Sequence, residues 1–370
     1  MAGIYIHIPF CVQKCLYCDF VSFCGREDMH AVYIEALGRE MARYRGTPAD
    51  TVFIGGGTPT VLAPALLERL MALVLENFRP CGDAEYSIEA NPKTLSEEKL
   101  RILKAGGVNR LSIGVQSFLD SELEILGRIH SAADAYTTVE LAAKAGFSNI
   151  NLDLMSALPG QTLEKFQYSL ARAVSLAPAH ISCYSLILEE GTPLASDYAK
   201  GRFLLPSEEE DREIYEFTRE YLALHGYKQY EISNFARPGR QCRHNLKYWE
   251  CGAYLGLGAA AHSYDGGAVR RENTPVLAEY CGGEGIGKIE AVLTKAGQMS
   301  EFMILGLRKT QGIQETEFSA RFGKTLDQVY GQQIQKFVRG GFLQRQGGRL
   351  FLSRRGVSVS NAVMCEFILT

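Results

Sequence analysis

Residues Tyr5–Phe23 read YIHIPFCVQKCLYCDFVSF. The apolar alternation over Ile4–Ile8 predicts a short strand, and Cys11, Cys15 and Cys18 follow it at once in a C-x3-C-x2-C array. Thiolates this close can hold one metal centre together. A 4Fe–4S cube takes four ligands, and so does structural zinc. A local trio therefore implies either a distant fourth ligand or a cluster with one iron left open to a small molecule.

The strand that opens this stretch is the first of a series. Apolar, β-branched runs recur at Thr51–Ile54, Tyr86–Ala90, Arg110–Val115, Asn149–Met155 and His180–Leu186. Helical spacing fills the intervals at Glu27–Arg45, Leu66–Phe78, Glu97–Ala105, Ala132–Ala145 and Leu163–Leu176. Thr94-Leu-Ser-Glu97 and Ser207-Glu-Glu-Glu210 read as capping boxes, the second opening a helix to about His225. Six strand–helix units in series predict a parallel sheet with crossover helices, either doubly wound or a full or partial barrel. In a barrel the chemistry sits at the C-terminal strand ends. Candidate residues stand at that end of successive strands: the cysteines, Gly55-Gly56-Gly57-Thr58, Glu89, Gln116 and Asp153. Taken singly, each is an ordinary cap or turn residue. Their recurrence at one end of five strands is what argues for a site.

Composition agrees with a well-packed globular chain of about two domains: 370 residues, 46% hydrophobic and 22% charged. There is no run of 18 apolar residues, so no membrane span is expected. The first residues carry no basic and apolar export signal, and ten cysteines then read as thiols or metal ligands rather than disulfides. The expected compartment is cytoplasmic. Residues 226–287 are irregular and rich in glycine and tyrosine, with a boundary expected near Gly282–Gly287. From Lys288 to Thr370, three helical patterns and a hairpin with Gly347-Gly348 at its turn predict a winged-helix-like α+β domain. That segment holds 12 Lys and Arg against 6 Asp and Glu. Basic charge on such a module raises DNA binding, but fold alone supplies no nucleic-acid function.

The cysteine array, with Tyr17 directly before its last member, resembles the signature of the radical S-adenosylmethionine enzymes. The resemblance implies a partial (β/α)6 barrel and a 4Fe–4S cluster on Cys11, Cys15 and Cys18. S-adenosyl-L-methionine would chelate the open iron. More narrowly, YIHIPFC, GGGTPT, IEANP, RLSIGVQSF, INLDLMSALPGQT and SLILEEGT resemble the oxygen-independent coproporphyrinogen III dehydrogenase family over nearly the whole chain. By that resemblance Tyr5, Gly56 and Glu89 contact a first S-adenosylmethionine. Tyr17, Gly57, Thr58, Gln116, Arg128 and Asp153 contact a second.

Two departures separate the chain from the dehydrogenases. They carry a further cysteine two positions past the third ligand, where this chain has Phe20, and a long N-terminal extension, whereas strand one opens this sequence. Both point to the sister group of heme chaperones. That group carries an H-N-x-x-Y-W motif, matched by His244, Asn245, Tyr248 and Trp249. Histidine suits a heme iron and Tyr or Trp a macrocycle face. His244 is therefore the expected heme contact, with Cys242, Cys251 and His262 ranked below it. The expected function is to bind heme and transfer it to apo-hemoproteins. The alternative is dehydrogenase chemistry, in which a 5′-deoxyadenosyl radical starts the decarboxylation of coproporphyrinogen propionates. A centre held by three cysteines also leaves room for sharing across a homodimer.

Overall fold

The computed structural model describes residues 1–369. Six parallel strands lie in chain order: β1 (Ala2–Ile8), β2 (Thr47–Gly56), β3 (Phe78–Ala90), β4 (Arg110–Gln116), β5 (Ile150–Ser156) and β6 (His180–Ser185). Helices cross between them, including His30–Ala42, Pro64–Asn77, Glu97–Ala105, Ala132–Lys144 and Leu163–Ser175. Every residue of β4 is buried, as expected for a strand covered on both faces. Alternation alone would have missed such a strand; its β-branched content and its bounding turns reveal it.

β1 does not pair with β6, so the barrel is partial. Short strands extend each edge instead. β7 (Lys228–Gln229) and β8 (Asn234–Ala236) add antiparallel strands beyond β6. On the other side β9 (Tyr254–Leu257) runs parallel to β1. β10 (His262–Tyr264), β11 (Val269–Glu272) and β12 (Lys288–Val292) continue outward from it. The irregular region thus contributes five short strands, β7 to β11, and the sheet runs past the boundary expected at Gly282–Gly287. β12 pairs with β11 and carries the sheet to Val292.

A second core, built on Met303, Leu307, Phe318, Tyr330, Leu350 and Phe367, lies among the last helices. It includes β13 (Ile313–Gln314), β14 (Leu343–Gln346) and β15 (Arg349–Leu352), a small antiparallel sheet. Gly347 and Gly348 both take positive φ in the β14–β15 turn, as a two-residue hairpin requires. Ile232 packs against this core, and Arg308 reaches the buried Glu231 at 3.5 Å.

One capping assignment also changes. Ser207 and Glu210 form a full capping box, but Thr94 does not cap the helix at Glu97. Ser96 does, its hydroxyl accepting from the Lys99 N–H. Thr94 turns inward, with its hydroxyl 2.6 Å from that of Thr60.

Candidate functional site

The C-terminal ends of all six strands surround one cavity of about 390 Å³. The loop after β1 brings Cys11, Cys15, Tyr17 and Cys18 to its wall. β2 supplies Gly56, Gly57 and Thr58, β3 Glu89, β4 Gln116 and β5 Asp153; Arg128 comes from the segment after β4. The cysteine loop closes across the barrel mouth. Leu16 N–H donates to the Leu126 carbonyl, and the Leu194 N–H donates to the Leu16 carbonyl. All ten cysteines are free thiols. Burial pushes the Cys11 and Cys18 thiols up, a cost that a bound metal would offset by taking the thiolates.

Local chemistry sets each position. Gly56 holds φ +108°, and a Cβ there would lie 2.5 Å from the His7 ring. Only glycine turns the chain here, which directs the Gly56 N–H to Glu89 Oε2 at 3.1 Å. Burial and the neighbouring Asp153 push the Glu89 carboxyl up to about 8, so it is a site short of positive charge. Gln116 takes φ +67°, unusual without glycine, and its amide oxygen accepts from the Tyr184 hydroxyl at 3.0 Å.

Arg128 donates to Cys15 Sγ at 3.3 Å and to Asn91 Oδ1 at 2.6 Å, while its buried Nε has no partner among the described residues. Asn91 in turn donates to the Thr58 hydroxyl at 2.8 Å. Asp153 is braced from below. Asn151 Nδ2 donates to it at 2.8 Å, His180 bonds Asn151 at 2.6 Å, and Tyr230 bonds His180 at 2.8 Å. Sequence reasoning singled out neither Asn91 nor this polar floor. Asn91 and Asn151 lie within the quoted IEANP and INLDLMSALPGQT motifs, whereas nothing in the spacing of His180 and Tyr230 marks them.

The donor set fits a cluster with one open iron together with an S-adenosylmethionine. Three free thiols sit on one loop, an unpaired guanidinium N–H suits a carboxylate, and a raised-pKa carboxyl suits a cation.

Two expected residues lie elsewhere. Tyr5 lines a neighbouring cavity of about 370 Å³ with Tyr248 and Tyr254, and Asp19 and Phe20 border both cavities. His244 is fully buried in the helix Arg243–Trp249. Its Nδ1 is 2.9 Å from the Thr51 hydroxyl and its Nε2 2.8 Å from that of Tyr248, while its ring stacks on Phe53. Burial holds it down to about 3, so it is neutral with both nitrogens engaged.

A model of the radical SAM superfamily matches residues 5–173, and one of the HemN C-terminal domain matches residues 293–359. The heme chaperone HemW of Bacillus subtilis is 40% identical, with 100% of this chain and 99% of the relative aligned. The heme chaperone HemW of Lactococcus lactis is 37% identical over 99% and 97%. The solved structure of coproporphyrinogen III oxidase (HemN) from Escherichia coli, a radical SAM enzyme, superposes with a TM-score of 0.84 at 25% identity. It covers 99% of this chain and 90% of that one. The chain belongs to the HemW family within the radical SAM superfamily.

Proposed function

We propose that the protein is a heme chaperone: it binds heme and passes it to apo-hemoproteins, carries a 4Fe–4S cluster, and binds S-adenosylmethionine. The observation that carries this reading is the junction of two cavities at Asp19 and Phe20. One is lined by thiols together with Glu89, Arg128 and Asp153. The other has a wall of Tyr5, Tyr248 and Tyr254, suited to a flat macrocycle. Phe20 is 63% exposed, an apolar ring where the dehydrogenases have a sulfur. The HemW relatives over the full chain support the same reading.

Cys11, Cys15 and Cys18 hold the cluster, which when bound supplies an open iron and one-electron chemistry. Arg128 would meet the carboxylate of S-adenosylmethionine, and Glu89 its positive charge. The Gly56–Thr58 backbone lets the ligand approach closely. Tyr17, Gln116 and Asp153 complete the wall. No helix among the described residues is long and apolar enough to cross a membrane, and the proposed compartment is the cytoplasm.

The test joins two measurements on cluster-loaded protein. Heme titration should saturate at one heme per chain. Anaerobic incubation with coproporphyrinogen III, S-adenosylmethionine and a reductant should give no protoporphyrinogen. Turnover to the vinyl product would replace the chaperone reading with the dehydrogenase one.

A further inference from the structure

We infer that Thr51 is the positioning residue for His244 as heme ligand, and that the Tyr248 hydroxyl caps the ligating nitrogen until heme displaces it. This rests on the heme-binding reading above, with His244 of the H-N-x-x-Y-W motif as the contact. Gly3, Thr51 and Glu85 form one row across β1, β2 and β3, Gly3 paired with Thr51 and Thr51 with Glu85. Each has its own part in seating His244. The Glu85 carboxylate accepts from the Arg243 and His244 backbone N–H groups at 3.0 and 3.1 Å, which anchors the first turn of the helix. Gly3 leaves room for the ring: a Cβ there would lie 3.0 Å from Thr51 Oγ1 and 3.3 Å from His244 Cε1. The Thr51 hydroxyl stands 2.9 Å from Nδ1, and Phe53, two positions along the same face of β2, stacks on the ring with centroids 5.2 Å apart. The motif supplies the histidine, and the sheet row supplies its orientation.

The two hydroxyls on the ring are not equivalent. A phenol is the better donor and an alkyl hydroxyl the better acceptor, so Tyr248 donates to Nε2 and Nδ1–H donates to Thr51. That is the tautomer an iron ligand needs. The lone pair sits on Nε2, and the other nitrogen is held by an acceptor that fixes the ring and raises its donor strength. Among the described residues Tyr248 is the sole side chain bonded to Nε2, at 2.8 Å. Tyr248 lines two cavities: the aromatic one beside Tyr5, and a second of about 290 Å³ with Trp249, Cys251, Tyr264 and Arg270. Its ring therefore has space to turn into, and a turn toward the second cavity uncovers Nε2. The exchange balances: the phenol leaves with its proton, and the lone pair it had occupied forms the bond to iron.

The experiment is a titration of full-length, cluster-loaded protein with ferric protoporphyrin, read by the Soret band, electron paramagnetic resonance, uptake rate and heme reduction potential. Wild type should show a histidine-ligated signature that a folded His244→Gly variant loses. Thr51→Val keeps the branched shape but removes the acceptor. It should bind heme roughly 10–100-fold more weakly and raise the reduction potential, and Thr51→Ser should restore both. Tyr248→Phe should keep the signature and take up heme on the order of 10-fold faster, because one hydrogen bond no longer has to break. Thermal midpoints follow the folding of each variant, and Thr51→Ala replaces Thr51→Val should the latter unfold. Wild-type affinity and potential in Thr51→Val overturn the positioning role, as does a Thr51→Ser variant no better than Thr51→Val. An unchanged uptake rate in Tyr248→Phe overturns the cap. A histidine signature that persists in His244→Gly overturns both assignments while leaving the chaperone reading intact. Failure of wild type to take up heme overturns that reading as well.

Discussion

The rim of the barrel and the helix Arg243–Trp249 both carry motifs, and they behave in opposite ways. At the rim, residues from separate strands and the loops after them converge on one cavity, where the buried Arg128 Nε keeps no partner among the described residues. In the helix, His244 and Tyr248 are four positions apart, so they share a face and bond each other. A motif spread over parallel strand ends can bind only by gathering, because each residue has distant neighbours. A motif within one helical turn can consume its own polar groups.

The largest effect that would break this comparison is at the rim. Cys15→Ala should abolish the cluster, seen as loss of visible absorption and of bound iron. An unchanged spectrum would return zinc or another ligand set. Next comes His244→Ala. It leaves the Thr51 and Tyr248 hydroxyls unpaired in a buried site, at a cost of roughly 2–4 kcal/mol by denaturant unfolding. An unfolding midpoint equal to that of wild type would mean His244 is not the packed, saturated residue described above.

A smaller loss is expected at Gly114. A Cβ there would lie 2.8 Å from Asn91 Oδ1 and 3.0 Å from Gln116 Nε2, displacing the bond from Arg128 to Asn91. Gly114→Ala should weaken S-adenosylmethionine binding by about 1–3 kcal/mol, with little change in heme binding. Equal losses for both ligands would show that the two cavities respond as one unit.

These sizes follow what the sequence made legible. Six strand–helix units, the partial barrel and the three cysteines were readable because strand-end position is a property of chain order. The helix Glu97–Ala105 falls at the expected residues. The strands were read short: β2 and β3 begin four and eight residues earlier than their apolar runs, where Thr47 and Phe78 pair in the sheet. Pairing there is set by a neighbouring backbone, which leaves no mark in local composition. The same limit hid Asn91, Asn151, His180 and Tyr230, whose roles come from contacts across the barrel. It also left open which of the two adjoining cavities Tyr5 borders, because these cannot be told apart from a strand's inward face.

The subtlest test concerns charge at the rim. Glu89 holds its proton up to about 8 in the folded protein, against 4.5 in the unfolded chain. Between those values the folded state keeps a proton that the unfolded state has lost. The associated stability is full below about 4.5 and drains away as pH rises toward 8. The unfolding free energy of ligand-free protein, measured against Glu89→Gln, should therefore decline over that window and level off above it. A positively charged ligand reverses the bias. S-adenosylmethionine brings ammonium and sulfonium charge to a carboxyl whose neighbour Asp153 raises it, so binding at pH 7 should expel the Glu89 proton. Calorimetry in buffers of different ionisation enthalpy should count fewer protons released by Glu89→Gln than by wild type. Equal counts would mean that Glu89 does not meet the ligand's cation, and that the rim gathers its residues without assigning this one a partner.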